Sequence, residues 1–183
     1  MTDLDALVLD DGEALGARVV GARHAGASFA RARLVDVELV RCDLSGCDFS
    51  EAIWQRVTLT DCRATAVDLS QTSMRHVVVK DCKLDDANLR LAKLRDVRFD
   101  GCVLAGAEMA GVQLEDVVFA GSDLRGADVS NARCAGVDLR GARLDGLRGM
   151  GSLRGATIGV DQLYVLAPAL AHALGITVRA DDA

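Results

Sequence analysis

Apolar and small residues recur in this chain at every fifth position. Stepping by five from Phe29 gives Leu34, Leu39, Leu44, Phe49, Trp54 and Leu59, and the series keeps phase through Leu144, 24 centres without a shift. The residue two before each centre is Ala, Val, Cys, Thr or Ser throughout, from Ala27 to Ala142. The other three positions of a unit are mostly polar or Gly, as in CDLSG at 42–46, SDLRG at 122–126 and VDLRG at 137–141. Five-residue spacing walks 140° per step around a helix, so it builds no single buried helical face, and it does not match the period of two of a plain strand. Two inward residues in every five suit a chain that turns a corner after each unit. Four units then make a square coil of 20 residues.

A 20-residue coil stacks equivalent residues. Cys42, Cys62, Cys82 and Cys102 recur at that interval and form one interior column, continued by Ser122 and Ala142; Phe29 stacks on Phe49 and Phe99 on Phe119. The expected fold is all-β, a quadrilateral parallel β-helix with coils at the roughly 4.8 Å strand spacing and a C-terminal capping α-helix.

The ends depart from the repeat. Residues 1–16 are expected to form an N-terminal cap strand or irregular coil, with Leu4, Leu7, Val8 and Leu9 in the strand and Gly12 and Ala14 breaking the pattern before Val19 and His24. The β-helix proper spans 17–151. The phase then slips by one residue after Leu147 and resumes at Leu153 and Ile158, so 152–183 hold a last partial coil, a helix and an acidic tail. Asp161 is expected to cap the helix, Leu163, Leu166, Leu170 and Leu174 to share one face, Gly175 to end it and Pro168 to kink or divide it. Ile176, Thr177 and Val178 can extend beyond it.

Composition narrows the function. Half the residues are apolar but only 3% are aromatic, consistent with a narrow core of many small contacts. No apolar run approaches the roughly 18 residues of a membrane span, and the aspartate-rich start lacks the basic region of a secretory signal, so a cytoplasmic protein without a membrane partner is expected. The net charge of −6 argues against direct nucleic-acid binding. The six cysteines read as small core residues: a column spreads ligands along an axis, whereas a metal needs them convergent. No catalytic constellation, nucleotide fingerprint or cofactor motif emerges, and neither cofactor nor metal is expected.

Surface charge sorts by face. The positions before the centres aligned with Phe49 read Asp48, Asp68, Asn88, Glu108 and Asp128, with Glu51 beside them. The next face carries Arg33, Arg56, Arg75, His76, Lys93, Arg95 and Arg133 among Asp36, Asp96, Glu115 and Asp116. The acidic row reads either as the preference of this repeat for Asp before its centre or as a regular negative surface that imitates the phosphates of duplex DNA and attracts a basic DNA-binding saddle.

This repeat resembles that of the pentapeptide-repeat family, over about 17–147, and the resemblance implies a right-handed β-helix. The length, the nearly uninterrupted coils and the terminal helix followed by LGITV at 174–178 are similar to the gyrase-interacting branch, which includes the Qnr, mycobacterial quinolone-resistance and albicidin-resistance proteins. The chain lacks the projecting loops of Qnr proteins, since no insertion breaks the phase. The resemblance implies a non-enzymatic DNA mimic that binds DNA gyrase or topoisomerase IV and confers resistance to gyrase inhibitors. It places partner binding on Asp48, Glu51, Asp68, Glu108 and Asp128. It also implies a homodimer through the C-terminal helix, by Leu163, Tyr164, Leu166, Leu170 and Leu174; the other reading of that helix is a lid over the last coil. The alternative function is an interaction scaffold with another protein target, using the basic face or Val40, Val78 and Val118.

Overall fold

The computed structural model describes residues 12–179. The expected N-terminal cap strand at Leu4 to Leu9 lies outside them. The repeat becomes a square coil because the residue two after each centre adopts left-handed backbone: φ lies near +55° at Asp36, Asp61, Asp96 and Asp116 and near +65° at Gly46 and Gly126. A two-residue extended run on either side of each such corner leaves the centre and the residue two before it pointing inward. Gly, Asn and Asp tolerate this geometry best.

Successive coils lie in strict 20-residue register. One side of the rod, here face 2, is built from β1 (Glu13–Leu15), β3 (Arg33–Val35) and β5 (Ile53–Gln55), paired parallel with Ala14 against Leu34 and Leu34 against Trp54. Face 3 starts with β2 (Arg18–Val20), β4 (Glu38–Val40) and β6 (Thr58–Thr60). Further along, the two faces join around one corner in the eight-residue strands β7 (Ser73–Lys80), β8 (Lys93–Asp100) and β9 (Gln113–Ala120). They separate again at β10 (Arg133–Ala135) and β11 (Val137–Asp138). Faces 4 and 1 carry single-residue bridges instead, running Arg23–Asp43–Arg63 and Ser28–Asp48–Asp68 and onward.

The interior is a set of columns. Phe29 stacks on Phe49 with ring centroids 4.8 Å apart, and Phe99 on Phe119 at 5.0 Å. Trp54 meets Phe49 edge to face and sits across the core from Ala64, a small centre in a column otherwise filled by Leu44 and Leu84. Large and small thus compensate within one coil, around a void of only about 10 Å³. The Trp54 indole Nε1 finds no hydrogen-bond partner among the described residues.

Two expectations at the start of the rod change. Ala14 keeps the phase and is buried as a centre, and β1 already pairs in register with β3, so regular stacking begins before residue 17. A small alanine there carries no hydrophobic signal in sequence, and only its pairing reveals the coil.

At the other end the one-residue slip is real: β12 (Ala156–Thr157) pairs with β11 as Val137 with Ala156, an offset of 19. A 3-10 turn at Met150–Ser152 absorbs it, entered through Gly149 at φ +80°. A Cβ on Gly149 would lie 2.6 Å from the Ser130 Cα and 2.7 Å from the Val129 carbonyl carbon, so glycine is required. α1 (Val160–Ala173) follows as one uninterrupted helix that contains Pro168. The expected division does not occur, because Leu166 and Leu170 on either side of the exposed proline are both held against the core.

Candidate functional site: the acidic row and the helical cap

Asp48, Asp68, Glu108 and Asp128 do align, in the chain of bridges Asp48–Asp68–Asn88–Glu108–Asp128–Arg148 along face 1, and Glu51 occupies the corner beside them with φ +59°. Their local roles are now explicit. An Oδ1 of Asp48, Asp68 and Asp128 each accepts the backbone N–H two residues on, from Ser50, Ser70 and Ser130, at 2.8 Å. Asp43, Asp123 and Asp138 do the same on other faces, at 3.1, 3.1 and 2.9 Å. The preference for Asp before the centre therefore has a structural cause, an Asx bond that shapes the turn. Side-chain bonds, with the Asx bonds second, hold carboxyls below their usual range: Asp128 chiefly through the Ser130 side chain, and Asp138, at about 2, chiefly through that of Arg140.

The row is not uniformly negative. Asn88 interrupts it and donates to Asp68 at 3.1 Å. Arg90 and Arg148 reach Glu108 at 3.0 and 3.3 Å, and Arg148 lies 3.7 Å from Asp128. Among the described residues no cation comes within ion-pair distance of Asp48, Glu51 or Asp68. The uncompensated acid is thus the N-terminal half of the row. All 21 Lys and Arg lie within 12–179, whereas six of the 27 acidic residues are Asp3, Asp5, Asp10, Asp11, Asp181 and Asp182. The described rod is electrically balanced, and the net charge belongs to the two ends.

The helix-face expectation divides. Leu166 is buried at 4% exposure and Leu170 packs against the core, whereas Leu163, Tyr164 and Leu174 face outward, at 48%, 76% and 76% exposure. Val160, Val165, Ile176 and Val178 extend this apolar surface. The cap expected at Asp161 lies elsewhere: the helix starts from Gly159, whose N–H donates to Gln162 Oε1 at 2.6 Å. Gln162 Nε2 donates to the carbonyls of Leu139 and Ala142, both at 2.7 Å; the Ala142 carbonyl is the acceptor that a further coil would otherwise bond, as Arg143 N–H bonds that of Ser122, while that of Leu139 also takes the Ala142 N–H. Gly175 ends the helix as expected, in a Schellman arrangement with Ile176 N–H on the Ala171 carbonyl and Gly175 N–H on that of His172. Residues 176–178 join no ladder.

The cysteine column is a hydrogen-bonded element. Cys62 Sγ accepts the N–H of Cys42 at 3.4 Å, Cys82 Sγ that of Cys62 at 3.3 Å, and Ser122 Oγ that of Cys102 at 3.1 Å. Each serves a backbone donor at a corner where no backbone carbonyl does. Burial raises the thiols of Cys47 and Cys102 to about 11; Cys62 reaches about 11 as well, where the bond with Cys42 lowers it but that with Cys82 and burial outweigh it. Neutral thiols of this kind are poor nucleophiles. Among the described residues no group of three or more His, Cys, Asp or Glu could hold a metal ion, and no helix is long and apolar enough to cross a membrane.

A pentapeptide repeat region profile matches residues 32–109, and a pentapeptide repeats profile of eight copies matches 118–148. No curated protein sequence matches the chain. Similar solved structures include full-length QnrB1, a plasmid-mediated fluoroquinolone resistance protein (21% identity, 87% of this chain and 99% of that one, TM-score 0.43). A trypsin-treated variant of QnrB1 gives 18% identity, 92% and 99% coverage and a TM-score of 0.46. A pentapeptide repeat protein from the Arabidopsis thaliana thylakoid lumen gives 20% identity, 65% and 69% coverage and a TM-score of 0.45. Likeness at this level does not carry a partner from one protein to another. With two repeat profiles spanning most of its coils and a 20-residue square register kept as far as Arg148, this chain belongs to the pentapeptide repeat family.

Proposed function

We propose that this protein is a non-enzymatic binding rod whose acidic edge imitates DNA and engages the basic DNA-binding surface of a type II topoisomerase, DNA gyrase first and topoisomerase IV second. The observation that carries the reading is the carboxylate cluster Asp48, Glu51 and Asp68, which meets no cation within ion-pair distance among the described residues, on a face with coil-spaced side chains. Glu108 and Asp128, shared with Arg90 and Arg148, contribute less. The outward surface of α1, centred on Leu163, Tyr164 and Leu174, joins two copies end to end, and Leu166 and Leu170 serve the lid. Bound in this way, the protein competes with DNA and protects the enzyme from its inhibitors.

The test is gyrase binding by purified protein at rising salt and against duplex DNA. Binding should weaken steeply with salt and be lost to competing DNA. Asp48→Asn, Glu51→Gln and Asp68→Asn together remove the charge but leave the Asn side-chain oxygen to accept the turn bonds, so the fold is retained. Undiminished binding by that folded variant rules out the acidic edge. A second reading, a scaffold for a different protein target, is favoured by the balanced charge of the rod and by the Asx bonds that explain its aspartates; binding that ignores salt and DNA would support it.

A further inference from the structure

Face 2 carries an open groove of about 380 Å³ floored by the edges of Met74, Leu94 and Leu114. Its neighbours are mostly self-satisfied: Arg33 pairs with Glu13 at 3.3 Å, Arg56 with Asp36 at 2.5 Å, His76 with Asp96 at 2.6 Å and Arg95 with Glu115 at 3.1 Å. Arg75, Lys93 and Arg133 line the groove and, among the described residues, pair with no carboxylate. Lys93 and Arg133 stand in one row two coils apart, roughly 10 Å, and Arg75 stands in the parallel row.

Leu91, two residues before Lys93 at the adjoining corner, is 58% exposed and adopts φ +59°. The equivalent corners one and two coils on are Gly111 and Asn131, which suit that backbone. Leu91 lies over Gly111 of the next coil, where a Cβ would come within 2.8 Å of its Cδ2, and its remaining exposure leaves an apolar side chain at the corner two residues from Lys93.

We propose that this groove receives an acidic segment of a partner protein that also presents a large apolar side chain to Leu91. Glu115 inside the groove and Asp96 and Asp116 at its far corner disfavour a continuous phosphate chain, but they leave Arg75, Lys93 and Arg133 as separate carboxylate sites. This inference stands independently of the acidic-edge reading, because it uses the adjacent face and the opposite charge.

Fluorescence anisotropy with a labelled glutamate-rich peptide carrying two leucines tests it on the full chain. The native protein should bind saturably. Arg75→Glu, Lys93→Glu and Arg133→Glu together should weaken binding by at least about ten-fold, with an unchanged circular dichroism spectrum. Leu91→Asn, whose side chain Asn131 already shows to be compatible with the corner, should weaken it several-fold. The Asp48→Asn, Glu51→Gln, Asp68→Asn variant should bind the peptide normally, which separates this outcome from failure at gyrase. The proposal is overturned by absence of saturable binding, by equal affinity of the triple glutamate variant, or by tighter binding of labelled oligothymidylate.

Discussion

Cys62 shows how a residue that looks merely small in sequence carries a specific bond. Its thiol accepts the Cys42 N–H and lies 3.4 Å from the Leu39 carbonyl, a polar pocket inside an apolar rod. Cys62→Ala leaves a buried donor without an acceptor and should cost about 1–3 kcal/mol by denaturant unfolding, whereas Cys62→Ser should cost less, as Ser122 already performs the same task for Cys102. Thiol ionisation adds a pH dependence. The folded values of Cys47, Cys62 and Cys102, about 11, stand above the ordinary thiol value of 9.0. The unfolded chain therefore releases protons first as pH rises, and stability that is whole below about pH 9 should decline through about pH 11. Chemical unfolding across that range checks the sign; an increase would contradict it. Packing supplies a prediction against the repeat consensus. Ala64→Leu matches Leu44 and Leu84 in its own column yet should destabilise by about 1–3 kcal/mol, because Trp54 occupies the space it needs.

Among the elements, the C-terminal cap is the least legible in the sequence. The 3.6-residue pattern locates α1 and puts leucines 163, 166, 170 and 174 on one face, and Gly175 locates its end, but of the four only Leu166 and Leu170 meet the coil, since the face extends beyond the coil it caps. Gln162 gives no sign of being an anchor, since the two bonds it donates depend on where the last coil leaves the Leu139 and Ala142 carbonyls. Gln162→Glu replaces two donated bonds with repulsion between oxygens and should loosen the cap by about 2–3 kcal/mol, seen as early loss of helix in hydrogen exchange ahead of the strands. Gly149→Ala should be comparably damaging, about 2–4 kcal/mol, because the added carbon meets the Ser130 backbone and no side chain can yield. Undisturbed stability in either variant would refute the cap geometry. The repeat itself is legible for a plain reason: a 20-residue period places every fifth side chain inside whatever its neighbours do, so Cys42 over Cys62 and Phe29 over Phe49 can be read directly.

At the scale of the whole molecule, the same period makes charge easy to align and hard to interpret. Sequence spacing puts Asp48, Asp68, Glu108 and Asp128 in line, but the pairing of Glu108 with Arg90 and Arg148, 18 and 40 residues away, belongs to the stacked faces. Those pairs shorten the free acidic edge to Asp48, Glu51 and Asp68, at the N-terminal part of the rod, while the uncovered bases lie further along on the next face. A rigid, electrically balanced rod with two charged patches of opposite sign suits simultaneous contacts better than a uniform polyanion does. The most direct measurement is DNA supercoiling by purified gyrase titrated with this protein and with its Asp48→Asn, Glu51→Gln, Asp68→Asn variant, with and without a fluoroquinolone. The expected result is that the native protein inhibits supercoiling or rescues it from the drug and that the variant, equally folded, does so at least about ten-fold less well. Equal potency of the two proteins, or no effect of either on gyrase from the same source, would contradict it.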